Sequence, residues 1–348
     1  MVIRRAARAA FWLGIAAGLI AFVTLVNPPD RSMFWSALFD AGHAPLFGLF
    51  ALMILWAAAA WGGSARRRTR GPATDRTAVP TVAQARPVRI RNYLLALSVT
   101  VALGGLTEIL QGLGSRDTEL WDFIRDVLGG AAALLLAFVF DRRANSDQGP
   151  HPARRRSLQV TMVLTAAALL ATAFLRVTTV AVAYLSRDAA FPLICEFDHR
   201  WEDLFVGVKD AVLIRGEPPV GWGREASNQA ARVTFLPAQY PGMSIREPHP
   251  DWRGYDRLVF EVYSEALTPV DLVLRINDAH HNNDYADRFN RVLVIQPGAN
   301  RVSISLDDVR HAPTTRPMDL AHIRGLSLFA VDPPLPFSVY VDAFRLER

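Results

Sequence analysis

Two hydrophobic regimes divide the chain near residue 186. Before it, apolar residues come in long unbroken runs. After about Ala190 they come in short runs bounded by turn residues. Residues 9–26 form 18 positions without a charge, about the length that crosses a hydrocarbon core as a helix. Further runs follow at 41–61, 93–113, 123–140 and 158–175, the last extendable past Arg176 to Leu185. This pattern predicts an α-helical transmembrane bundle of five spans. The first run reads as a retained helix rather than a cleaved signal, because residues 24–28 offer no small-x-small cleavage site. The stretches 27–40, 63–91 and 141–156 are expected as loops.

The second regime predicts strands at 193–197, 211–215, 231–236, 257–263, 270–276, 291–295, 301–306, 325–331 and 338–346. Alternation of apolar and polar positions is clear in DRLVFEVY (256–263) and RVSISL (301–306). Short strands separated by turns such as Pro297-Gly298 predict an all-β domain, a β-sandwich. No long amphipathic helix is expected there. The predicted organisation is 1–145 for the first four spans, 146–189 for a basic loop and fifth span, and 190–348 for the sandwich.

Charge adds an orientation. The formal net charge of +5 hides +10 over residues 1–186 and −5 over residues 187–348. A pI near 9.8 raises nucleic acid as a partner. The arginines, however, sit in short loops between apolar runs, eight of them in 63–91 and five in 141–156, so no nucleic-acid partner is expected. They read as topology determinants. The positive-inside rule then places the N-terminus in the cytoplasm and residues 190–348 outside it, in a protein integral to the cytoplasmic (inner) membrane. Cys195 is the sole cysteine, so there is no intrachain disulfide and no multi-cysteine metal site.

The stretch 104–140 carries the candidate chemistry of the membrane half. Glu108 and Gln111 are three apart and share a helix face, as do Asp122 and Asp126, four apart. Arg116 lies in the turn between them. Charged groups at membrane depth turn toward a bundle interior or a wet cavity, so these residues and His43 are expected to converge near the outer boundary. The order Glu108-x-x-Gln111, Arg116, Asp122-x-x-x-Asp126-x-x-Gly129, with Asp40-x-x-His43-x-x-x-Phe47 upstream, resembles the signature of VanZ-like membrane proteins. One departure is Asp126, where that family usually carries Asn. The resemblance covers about the first 145 residues and implies a place in the cell envelope and in glycopeptide-antibiotic tolerance, without a settled reaction. His43 with Glu108 or Asp122 would make an acid/base pair, and Arg116 a bidentate phosphate or carboxylate ligand. Such a set suits a lipid-linked head group, bound or acted on by a hydrolase or transferase. The same groups would equally serve as hydrogen bonds that hold the bundle together. No serine-elbow, P-loop or HExxH pattern occurs.

In the outer half, Tyr240-Pro241-Gly242, Asp251-Trp252-x-Gly254-Tyr255-Asp256, Arg275-Ile276-x-Asp278, Asp287-Arg288-Phe289-Asn290 and Val341-Asp342-x-Phe344 resemble the galactose-binding-like, jelly-roll sandwiches used as carbohydrate-binding modules. The resemblance implies a glycan or lipid-linked saccharide as partner, beside the membrane lipid itself. A module that merely contacts another protein is the alternative. The polar loop 277–290 supplies Asn277, Asp278, His280, His281, Asn283, Asp284, Tyr285 and Arg288, and Trp252 and Tyr255 are candidate stacking platforms; the alternative is that Trp252 and Tyr255 are core or loop anchors and that Asp287 and Arg288 form a structural ion pair. The resemblance also implies, in some members, a structural Ca²⁺ near positions such as Glu196 and Asp342, whose oxygens suit that ion. Adjacent His280 and His281 point different ways and make no zinc site.

Overall fold

The computed structural model describes residues 32–68, 90–112, 120–141, 152–223 and 228–348. The chain forms two compact units, Met1–Thr179 and Val180–Arg348. The expected span at 9–26 and Arg116 lie outside the described residues.

Among the described residues, four helices carry the first unit: α1 (Met33–Arg68), α2 (Ile90–Gly112), α3 (Leu120–Phe140) and α4 (Pro152–Ala190), within which the boundary between units falls. Each has a stretch long and apolar enough to cross a membrane. Their ends differ from expectation. α1 begins eight residues early, at Met33, and runs on through Arg66–Arg68, while α4 takes in Arg154–Arg156. Arginine is a good helix former, and Pro152 sits at the first helical position, where its missing N–H does no harm. Basic flanks that mark a membrane boundary therefore need not end a helix. At 1.5 Å per residue, α4 is about 58 Å long, nearly twice a ~30 Å hydrocarbon core.

Small residues set the packing of α1, α2 and α3. A Cβ at Gly129 of α3 would fall 1.9 Å from the Ala44 carbonyl oxygen of α1, so the two backbones touch there. A Cβ at Gly130 would meet the Thr100 Cγ2 of α2 at 2.8 Å. Ala44, Ala51, Ala96 and Ala132 are fully buried around this crossing. Close approach through small residues is how helices associate where lipid offers no hydrophobic drive. The large apolar residues Leu49, Trp56, Leu94, Leu95 and Ile109 are left on the outside of the unit.

The second unit is an antiparallel β-sandwich of eleven strands: β1 (Leu193–Cys195), β2 (Val206–Lys209), β3 (Ala211–Gly216), β4 (Ala230–Phe235), β5 (Gly242–Arg246), β6 (Arg257–Ser264), β7 (Val270–Asp278), β8 (Phe289–Ile295), β9 (Gly298–Ser305), β10 (Ile323–Phe329) and β11 (Phe337–Glu347). One sheet has the order β3-β4-β11-β6-β9, with β1 also on β11, and the other β2-β5-β10-β7-β8. All nine expected strands are present, with ends shifted by up to three residues. β2 and β5 were not expected. Each is short and contains a glycine, Gly207 or Gly242, which weakens strand signal. A short helix, α5 (Leu306–Arg310), follows β9.

Alternation places the core. In β7 Leu272, Leu274 and Ile276 are buried and in β6 Leu258, Phe260 and Val262, while Phe344 of β11 stacks on Phe260 at 4.6 Å. The other face of β7 therefore carries Asp271, Val273, Arg275 and Asn277 outward. Cross-strand register extends that face into a row, Gly207, Ser244, Ser327, Arg275 and Asn290, from β2 to the edge strand β8. The parallel row is Lys209, Gly242, Phe329, Val273 and Val292. The first row runs through the small residues Gly207, Ser244 and Ser327 to Arg275 and Asn290.

Candidate functional site

In the first unit, polar groups gather at one end of α1, α2 and α3. His43 Nδ1 lies 3.0 Å from Asp126 Oδ1, joining α1 to α3, and both side chains are largely buried. Gly104 of α2 packs on Asp126: a Cβ there would meet Oδ2 at 3.1 Å. Glu108 follows Gly104 by one turn on the same face and is half-buried. Arg125 donates to Asp122 at 2.5 Å and lies 3.9 Å from Asp40, which also accepts from Arg176 of α4 at 2.7 Å. The acid expected opposite His43 was Glu108 or Asp122, yet the residue in contact is Asp126. The reason is geometric, since Asp122 is taken by Arg125 one turn of helix away. The side chain of Gln111 lies outside the described residues.

In the second unit, the loop between β7 and β8 is held by a cation from elsewhere in the chain. Arg316 donates from both Nη1 and Nη2 to Asp278, the latter at 2.8 Å, and from Nε to Asp287 at 2.7 Å. Asp278 also accepts from the backbone N–H of Asp319 and His280. Burial pushes the Asp278 carboxyl up, but these donors outweigh it and hold it below its usual value. Arg316 likewise holds Asp287 low against its burial. Asp278 is fully buried and is thus part of the scaffold, not of a surface that meets a ligand.

The expected contact residues now separate. Trp252 is fully buried, with Nε1 donating to the His249 carbonyl at 2.8 Å, so it presents no platform to solvent. Its indole fills the core because β-domain aromatics carry the largest apolar area available there. Tyr255 is half-buried against Phe191 and Arg348. His281 is also interior. Its Nδ1 faces the Asp287 carbonyl at 2.9 Å, and its Nε2 meets Arg275 Nη2 at 2.9 Å. Because arginine can only donate, that Nε2 accepts and the proton sits on Nδ1. Asn277 is half-buried beside the Asp278 carbonyl. Asp284 caps the turn that follows by accepting from Ala286 N–H. His280 and Asn283 are exposed on the loop.

Tyr285 and Arg288 border an open cleft of about 580 Å³ between the β8 edge and α5, with Asn290, Arg291, Asp308 and His311 on its other sides. Tyr285 is 69% exposed, and the Arg288 guanidinium lies over its ring at 5.1 Å. Arg291 is engaged by Asp308 at 2.6 Å. Three residues nearby carry unpaired atoms. Arg288 Nε, Arg275 Nε and both polar atoms of the Asn290 carboxamide are buried and have no hydrogen-bond partner among the described residues. Buried polar groups are paired in the great majority of cases, so a cluster of exceptions on one face points to something that meets them. Arg275 and Asn290 were not among the expected ligands. Their signal was the strand alternation, which sends 275 and 290 outward.

Glu196 and Asp342 do line one cavity, of about 440 Å³, together with Asp198, Glu261 and Asn228. Burial, with the charges of Asp198 and Glu202, raises the Glu196 carboxyl. Among the described residues no three of His, Cys, Asp or Glu are arranged to hold a metal ion.

No family profile matches the sequence. No curated protein matches it either. Solved structures similar to the chain include an exo-beta-agarase, at 14% identity and TM-score 0.37 over 44% of this chain and 25% of that one. Another is the family 11 carbohydrate-binding module from Clostridium thermocellum in complex with a beta-1,3-1,4-mixed-linked tetrasaccharide, at 14% identity and TM-score 0.35 over 44% of this chain and 94% of that one. A third is the family 30 module of a cellulosomal cellulase of the same organism, at 12% identity and TM-score 0.32 over 41% of this chain and 89% of that one. The chain thus spans about a quarter of the agarase. Likeness at these scores says nothing of what this chain binds.

Proposed function

We propose that this chain is an integral membrane protein of the cell envelope whose β unit holds a glycan in the cleft beside β8. The observation that carries this reading is Asn290, whose carboxamide nitrogen and oxygen are both buried without a protein partner among the described residues. A carboxamide offers donors and an acceptor side by side, the complement of neighbouring sugar hydroxyls. An unmet buried polar group costs about 1–3 kcal/mol, which a ligand that satisfies it recovers. The exposed ring of Tyr285 next to it supplies a flat apolar face for the C–H side of a sugar ring. The length and apolar composition of the helices support a membrane anchor for this unit, and the positive-inside rule applied to the arginine-rich stretches supports a position outside the cytoplasm. The order of Glu108, Gln111, Arg116, Asp122 and Asp126 supports a VanZ-like membrane unit that presents its polar end to a lipid-linked head group.

The test is a glycan array probed with the full-length chain in nanodiscs, beside Asn290→Ala. Binding by the parent and a loss of about tenfold in the variant, some 1.4 kcal/mol, supports the reading. Silence across the array, or equal binding by the variant, overturns it.

A second reading has one observation in its favour. The buried His43–Asp126 contact is the arrangement by which a carboxylate orients an imidazole for proton transfer. A hydrolase or transferase acting on lipid-linked envelope precursors would use it. Under that reading Asp126→Asn abolishes turnover of a lipid-linked saccharide while the helical unit stays folded. Unchanged turnover removes it.

A further inference from the structure

Arg275, on the outward face of β7, and Arg288, two residues before its register partner Asn290, carry guanidinium groups that no carboxylate answers. Among the described residues neither Arg275 nor Arg288 has an acidic oxygen within the 4.0 Å of an ion pair. The acids of the neighbourhood are committed elsewhere. Asp278 and Asp287 are bound by Arg316, Asp308 is bound by Arg291, and Asp284 caps its own turn. The sequence suggests that Asp287 and Arg288 are a neighbouring ion pair. The fold instead gives Asp287 to Arg316 and leaves Arg288 over the Tyr285 ring.

Arg275 Nη2 meets His281 Nε2, a neutral acceptor. Burial and the charge of Arg288 together depress the Arg275 guanidinium. Like charges held close in a partly buried site are unfavourable unless an anion joins them. The Nε atoms of both arginines and the Nδ2 of Asn290 are all donors without an acceptor among the described residues. Guanidinium forks match the two oxygens of a carboxylate or sulfate in plane and spacing. The surrounding unit argues against a general polyanion surface, because residues 187–348 carry a net charge of −5. Nucleic acid is bound through many phosphates at once, whereas this is one local pair of cations next to a stacking ring.

We propose that the ligand is an acidic saccharide, whose carboxylate or sulfate is clamped by Arg275, Arg288 and Asn290 while a sugar ring lies on Tyr285. This rests on the glycan reading above and names the class of sugar.

The experiment is calorimetric titration of the full-length chain in nanodiscs of neutral lipid. The probes are an oligogalacturonide and its methyl ester, a sulfated oligosaccharide and its desulfated form, a neutral mixed-linked glucan oligomer, and inorganic sulfate. An acidic form that binds at least about tenfold tighter than its neutralised counterpart, with affinity falling as salt rises, is the expected result. Which pair shows the preference identifies carboxylate or sulfate. Arg275→Gln and Arg288→Gln should each erase the preference, and Arg253→Gln, which removes an exposed partner of Asp251, should leave it intact. Since each of the first two variants relieves a like-charge contact, unfolding of the ligand-free protein should not become easier. Should either fail to fold, Arg288→Lys keeps the charge, removes the fork, and is expected to weaken the preference. Equal binding of neutral and acidic forms overturns the inference and leaves the glycan reading standing. Binding of inorganic sulfate but of no saccharide, or no binding at all, overturns both.

Discussion

Arg316→Gln is the substitution whose consequence follows most directly from the structure. Its guanidinium, 26% exposed, serves Asp278 and Asp287, whose side chains are 0% and 7% exposed. Removing one partner of a buried ion pair costs about 3–5 kcal/mol, because the remaining charge stays desolvated. Glutamine can retain one hydrogen bond, and the site opens on one side to water, so about 3 kcal/mol is the expected loss. For a unit of this size each kcal/mol lowers Tm by about 2–4 °C, giving a drop of roughly 6–12 °C. The damage should be local first. Amide hydrogen exchange of the full chain in nanodiscs should quicken over residues 278–290 before the rest of the sandwich. The freed Asp287 should then capture Arg288, so the variant should also lose binding in the β8 cleft. Asp278→Asn combined with Arg316→Gln should recover part of the stability, since the double variant buries one charge fewer. A Tm change below about 1 °C, with unchanged exchange over 278–290, would refute the view that Arg316 holds this loop.

Three further outcomes are expected. Asp278 and Asp287 are held below their usual values when folded, so their stabilisation is complete above the unfolded value near pH ~3.9 and disappears as pH falls through the lower folded values; acid unfolding of the β unit, followed by exchange, should show this loss, and Arg316→Gln should flatten it. Gly129→Ala places a Cβ 1.9 Å from the Ala44 carbonyl oxygen and should cost about 1–3 kcal/mol in detergent-induced unfolding, whereas Gly42→Ala, with nothing within 4 Å, should be neutral or better. Reporter fusions after Arg70 and after Arg187 should report opposite sides of the membrane, and the same side for both would end the proposed topology.

The helices were legible because hydropathy reads length directly, and their ends were not, because arginine marks a membrane boundary and also extends a helix. Alternation gave nine strands and missed β2 and β5, where four or five residues around a glycine leave too few positions to alternate. Composition marks the polar loop 277–290 as a candidate, and only its end, Tyr285, Ala286, Arg288, Phe289 and Asn290, borders the cleft. Its individual roles were not legible. Whether Asp278 meets a ligand depends on Arg316, 38 residues away, and nothing local records that pairing. Trp252 shows the same limit, since an aromatic that suits a sugar suits a core equally well until burial is known. Arg275 and Asn290 lie in strands whose inward positions are mostly apolar, such as Leu272, Leu274 and Ile276 in β7 and Phe289, Leu293 and Ile295 in β8, and polar residues on the outward face of such strands are ordinary. They became conspicuous only when register set them opposite each other, with the Arg275 Nε and both polar atoms of the Asn290 carboxamide unpaired among the described residues.

The central claim is that a glycan sits in the cleft beside β8, and a structure of the full-length chain with a bound oligosaccharide tests it most directly. A sugar ring against Tyr285, with hydroxyls on the Asn290 carboxamide and an acidic group between Arg275 and Arg288, is the predicted result. An oligosaccharide seated elsewhere, such as in the cavity lined by Glu196 and Asp342, with Asn290 untouched, would contradict it.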